Sequence, residues 1–230
     1  MSLFYSVVIS TKHFIETDSN WITLVNLLII VLLTLLFTLY RKKTLLIFQS
    51  LFSPRHYTQL VREGKLFTEN SFPIHIATIF IIQALLGYFL FKHFFPALWN
   101  PEKSYNIYFI VLGVIIVDYL FKQIITFFFT YLFEFIEDRY DYWLYKLLYL
   151  SINSLIAYLL LLSAIYTGYM QILYAYIPVF LFTYIFMSIK LFVLISKKIN
   201  PFHFFIYFCT FEILPYFLLV KFLFVLENRV

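Results

Sequence analysis

The chain is 230 residues long, 63% hydrophobic, 23% aromatic and only 13% charged, with a mean hydropathy of +0.89. Too little polar side chain is present to cover a soluble globule of that size, which excludes a soluble enzyme domain and leaves an integral membrane protein. The formal net charge of +5 does not point to nucleic acid, because the basic residues sit between apolar runs and not in a patch interleaved with exposed aromatics.

Taken in chain order, residues 1–20 carry Lys12, His13, Glu16 and Asp18 with no long apolar centre, so they do not read as a cleaved signal peptide and the first span is expected to be retained. A hydrocarbon core of about 30 Å requires roughly 20 residues of helix. Six segments meet that length, at residues 21–40, 74–95, 105–132, 145–165, 172–195 and 202–226. They are continuously apolar and do not alternate, which favours helices over barrel strands. Trp21, Tyr40, Trp99 and Trp143 mark their ends as interfacial aromatics. The expected fold is an all-α polytopic membrane bundle of six transmembrane helices, a single domain over residues 1–230.

After the first span comes "RKKTLLIFQSLFSPRHY". Its apolar residues Leu45, Ile47, Phe48, Leu51 and Phe52 lie too close to the charges, in too short a run, for another span. A short interfacial cytosolic helix is expected, with its basic residues near lipid phosphate. Arg41, Lys42, Lys43, Arg55, Arg62, Lys65, Arg139, Lys146, Lys197 and Lys198 fall on one side of the spans, against Lys12, Lys92, Lys103 and Arg229 on the other, which is ten against four. By the positive-inside rule the ten are cytosolic and both termini lie outside the cytosol.

Within the third span Asp118 and Lys122 stand four apart on one helical face, acid before base, where they can neutralise one another. The link that follows reads "FEFIEDRYDYW". Its Glu134, Glu137, Asp138 and Asp141 fall at i, i+3, i+4 and i+7, so a helix there would present four carboxylates on one face. Such a face suits either plain solvation by the cytosol or a hard cation such as magnesium bridging to a diphosphate. "EDRYD" is faintly similar to the aspartate-rich motif of membrane prenyltransferases, whose second acidic motif and additional spans have no counterpart here.

Lys190, in the fifth span, has no carboxylate three or four positions away and requires an interhelical partner unless it snorkels to the interface. Glu212 is the other lone ionisable residue. It sits about ten residues into the sixth span, where an isolated charge costs roughly 2.5–3.5 kcal/mol, and Pro215 should kink the helix beside it. Estimated depths place Glu212 and Lys190 within reach of each other, with Asp118 and Lys122 completing one polar cluster. Two readings stand open: a structural clasp across helices, or a protonatable group in a pathway. His75, His203, His93 and His56 sit at span ends or in the basic segment, as interface anchors do. Cys209 reads as a small packing residue, because burial in lipid raises a thiol pKa. No metal-ligand spacing, nucleophile arrangement or phosphate-cradling loop appears, and no metal or cofactor is expected.

The sixth span, "NPFHFFIYFCTFEILPYF", together with the leading "NWITLV" and the "FSPRHYTQL" segment, resembles an uncharacterised inner-membrane family of Bacteroidetes bacteria, domain of unknown function 4271. The pattern of His203, Tyr207, Cys209, Glu212 and Pro215 is its most specific part. The resemblance implies a cell-envelope setting in the inner membrane of a diderm bacterium and brings no activity with it. Two function classes follow from the residues. One is a non-enzymatic subunit, scaffold or assembly factor that packs its aromatic surface on a membrane-protein partner or on a second copy. The other is a transporter or flippase for a small or lipidic substrate, lined by the intramembrane charges.

Overall fold

The computed structural model describes residues 19–63, 71–96, 104–132 and 139–195, with the isolated positions Thr210, Lys221 and Val225. Every regular element among them is a helix. They are α1 (Ser19–Leu39), α2 (Arg41–Phe52), α3 (Pro54–Glu63), α4 (Ser71–Phe94), α5 (Ser104–Leu132), α6 (Arg139–Thr167), a 3₁₀ segment (Met170–Ala175) and α7 (Tyr176–Ile195). Five stretches are long and apolar enough to cross a membrane: α1, α4, α5, α6 and the 3₁₀ segment continued by α7. They correspond to the first five expected spans. The sixth, residues 202–226, lies outside the described residues apart from the three isolated positions.

Helices α4 and α6 form the centre, each span 50% buried, whereas the spans of α1 and α5 are each 11% buried and wrap the outside. Helix α1 packs through a stripe at heptad spacing, Ile22, Ile29 and Leu36, with Val25 and Leu33 beside it. Its opposite face, with Leu24, Leu27 and Ile30, is exposed. The central packing gathers Ile82, Leu85, Tyr88, Ala157 and Leu161 with Leu173 from the 3₁₀ segment. In a bilayer such residues gain little by leaving lipid, so close packing and hydrogen bonds must hold the helices together. Gly87 permits one of these approaches: a Cβ there would lie 2.9 Å from Val111 Cγ1 of α5.

Where one interfacial helix was expected, two are found. Ser53 is extended (φ −132°, ψ 117°) and Pro54 opens α3, because a proline disfavours helix in the residue before it and fits the first helical position itself. The resulting hairpin turns part of its apolar face onto the bundle. Leu46, Ile47 and Leu60 are buried against Ile79 of α4 and Leu144, Leu147 and Leu148 of α6, and Tyr57 stacks on Tyr145 at 4.3 Å. At a water-facing end, burying each such side chain contributes about 1.5–3 kcal/mol. The hairpin therefore closes the end of the bundle that carries Arg41, Lys42 and Lys43, here called the basic end.

The turn between α1 and α2 takes a single residue, Tyr40, and the Leu36 carbonyl at the end of α1 accepts both the Tyr40 N–H at 3.2 Å and the Thr44 hydroxyl at 3.1 Å. At the opposite end α6 stops at Gly168, whose φ of 75° lets its N–H donate to the Ala164 carbonyl at 3.0 Å in the left-handed cap that glycine favours. The chain reverses there into the 3₁₀ segment and α7.

Candidate functional site

Many serine and threonine hydroxyls along the described spans are satisfied within their own helix. Thr34, Thr38, Thr126, Ser151, Ser163 and Ser188 each donate to the carbonyl four residues back, which removes the cost of an unpaired group in hydrocarbon. The polar groups that join different helices are more informative.

One layer lies halfway along α4 and α6. The Gln83 side-chain amide donates to Ser154 Oγ at 3.0 Å, and the Asn153 amide donates to the Tyr176 hydroxyl at 2.8 Å. These two bonds connect α4 to α6 and α6 to α7. The Asn153 Oδ1 and the Tyr158 hydroxyl are buried with no hydrogen-bond partner. Near the opposite end Trp21 Nε1 donates to Ser104 Oγ at 3.2 Å and stacks edge-on against Tyr88 at 5.0 Å. Trp21 is thus built into the packing of α1 on α4 and α5, a closer engagement than an interfacial anchor requires. His93 and the Tyr174 hydroxyl are 2.6 Å apart. Sequence reasoning weighed charged residues and passed over this neutral layer; the signal was present as Gln83 in "IIQALL" and Asn153 in "SINSLI".

Asp118 and Lys122 are paired on α5, Oδ2 to Nζ 3.0 Å, with Lys122 6% exposed and Asp118 31% exposed. Both lie inside the Ser104–Phe128 span. The register of α5 on α4, set by Val111 at Gly87 and Tyr119 on Phe80 at 5.0 Å, places Lys122 beside the first turns of α4. Lys190 is exposed on α7, its ammonium 5.6 Å from the centre of the Phe186 ring, an arrangement that offsets part of a cation's cost in a poorly hydrated setting. Helix α5 packs on α4 and α7 on α6. Glu212 and Pro215 lie outside the described residues, as do His203 and Cys209. So do Glu134, Glu137 and Asp138, while Asp141 falls in the first turn of α6. Among the described residues no three His, Cys, Asp or Glu side chains converge.

A third polar group lies at the basic end. Lys43 and Thr44 from α2, Ser71 and His75 from α4, and the apolar walls Ile47, Phe72 and Leu147 enclose a small pocket. His75, expected as an interface anchor, is 7% exposed and lines this space. Chemically, the neutral layer is a set of direct interhelical stitches, the α5 pair is a charge pair held at span depth, and the basic-end pocket offers donors with one cation.

No curated protein and no solved structure is significantly similar to the chain. A family described as "Domain of unknown function (DUF4271)" matches residues 22–223, which takes in all the helices described above except the first turn of α1. The extent of that match, over the spans and the basic hairpin alike, places the chain in a family: it belongs to the domain of unknown function DUF4271.

Proposed function

We propose that the protein is a non-enzymatic membrane subunit or scaffold that packs through the outer face of α5 on another membrane protein or on a second copy of itself, in the inner membrane of a bacterial cell envelope. The observation that carries this reading is Asp118. Its carboxylate is 31% exposed inside a span whose surroundings are otherwise Phe109, Val114, Val117, Phe121 and Ile124, all turned outward. Charge facing hydrocarbon costs kilocalories, so a protein surface that covers the pair is the economical solution. The aromatic character of the same face supplies large, rigid contact area. The core supports the same reading, because Gln83 is bonded directly to Ser154 and Asn153 to Tyr176, and Leu85, Tyr88 and Ala157 beside them are wholly buried.

A second reading draws on the same charge pair: a transporter in which Asp118, Lys122, Lys190 and Glu212 line a watered route. Purification of the full chain from native membranes in mild detergent, followed by native mass spectrometry, separates the two. A fixed stoichiometric assembly that dissociates when Asp118 and Phe121 are changed to leucine supports the scaffold. A monomer unaffected by those changes, with Asp118 accessible to water-soluble carbodiimide, supports transport.

A further inference from the structure

The outer face of α5 carries a seam of large apolar residues. Ile110, Val114, Val117, Phe121, Ile124 and Phe128 alternate steps of four and three residues and are 46–67% exposed. Two helices interlock side by side at this spacing, but the outer face of any apolar helix shows it, that of α1 included. What sets α5 apart is the pair of residues flanking the seam. On one flank stands Gly113, where an added Cβ would meet nothing within 4 Å; on the other stands Asp118, 31% exposed and bridged to Lys122. The equally exposed span of α1 holds neither a glycine nor a charge, and that of α7 holds Lys190 but no glycine. Resting on the scaffold reading above and naming its partner, we propose that the outer face of α5 binds α5 of a second copy of this chain, in a twofold dimer where Asp118 packs over the partner's Gly113.

Copies inserted the same way up run their α5 helices parallel, about an axis along the membrane normal. In parallel packing each seam residue meets its own counterpart. A residue flanking the seam on one helix meets, on the other, the residue five positions earlier on the opposite flank. Five positions before Asp118 is Gly113. With only hydrogen at that place, the Asp118 side chain lies over backbone, whereas a larger residue would collide with it. The charge pair is then enclosed between α4 of its own copy and α5 of the other, out of hydrocarbon. A small residue at a helix interface also lets the two backbones approach, which is what favours association where both surroundings are apolar. The fit is intrinsic to this chain, because the twofold axis sets one glycine opposite one aspartate on both sides of the seam.

The test uses the full chain with Cys209 replaced, in native membranes and in lipid vesicles. Under mild oxidation, single cysteines at Val114, Val117 and Phe121 should form disulfides between copies, and cysteines at Ile116 and Tyr119 should not. Gly113→Leu should weaken the dimer about tenfold or more, read as energy transfer between labelled copies at falling protein-to-lipid ratio. In a detergent that separates the copies, the same change should leave the melting temperature unchanged or raised, since nothing in its own chain occupies that place. Should Gly113→Leu not fold, the cysteine scan decides alone. Dimers of native strength in the folded Gly113→Leu chain, or disulfides that do not follow the seam, would overturn the second copy as occupant. Cross-links from this face to a different protein, without disulfides between copies, would overturn the dimer and keep the scaffold reading. Lipid adducts alone would remove both.

Discussion

At Asp118 and Lys122 a four-residue spacing becomes a 3.0 Å ion pair at span depth. Removing the carboxylate charge takes this ion pair away, so Asp118→Asn should lower stability by about 1–3 kcal/mol, less than a fully buried pair would lose because Asp118 is 31% exposed. Adding Lys122→Met should restore most of the loss. Unfolding in detergent, followed by circular dichroism, measures both; equal stability of native and Asp118→Asn chains would show that the pair contributes nothing. Glu212 and Lys190 are proposed to meet as a second pair, since each lone charge requires a partner. If they form a clasp, Glu212→Gln weakens stability and the exchange Glu212→Lys with Lys190→Glu recovers part of it. A folded Glu212→Gln chain as stable as the native one would remove the clasp.

Among the elements, the approach of α4 to α5 depends on Gly87, where a Cβ would come within 2.9 Å of Val111 Cγ1. Both valine methyls are fixed to a stiff β-branched stem and have little room to yield. Gly87→Val should therefore cost roughly 1–3 kcal/mol, with partial recovery on Val111→Ala, in the same unfolding measurement. The spans themselves were legible in the sequence because continuous apolar runs of about 20 residues have few alternatives; the observed ends fall within a few residues of the expected ones except at α6, which begins earlier, at Arg139. The hairpin of α2 and α3 was only half legible. "LFSPRHY" signals the break at Ser53 and Pro54, but that Leu46, Ile47 and Leu60 turn onto α4 and α6 depends on tertiary contacts between helices well separated in sequence. The neutral layer escaped notice for a related reason: Gln83, Asn153 and Ser154 are inexpensive enough in a span to look incidental until their partners are seen.

For the whole molecule, the ten-to-four distribution of basic residues between the two sides of the spans predicts that the hairpin end faces the cytosol. With Cys209 replaced, a cysteine at Arg62 should react with a membrane-impermeant maleimide only after the inner membrane is opened. One at Lys103 should react once the outer membrane alone is permeable. The reverse order would invert the molecule in the membrane. The larger asymmetry is lateral: the α4 and α6 spans are 50% buried while α5 is 11% buried and carries a charge pair, which is the basis for assigning α5 to an interface. A photoreactive phenylalanine analogue placed in living cells at Phe121, Ile124 or Phe128, which face outward, and at Leu85 or Leu161, which do not, tests that assignment most directly. The account predicts one discrete protein adduct from the α5 positions, to a partner or to a second copy, and none from the two core positions. Lipid adducts alone at all three α5 positions would contradict it.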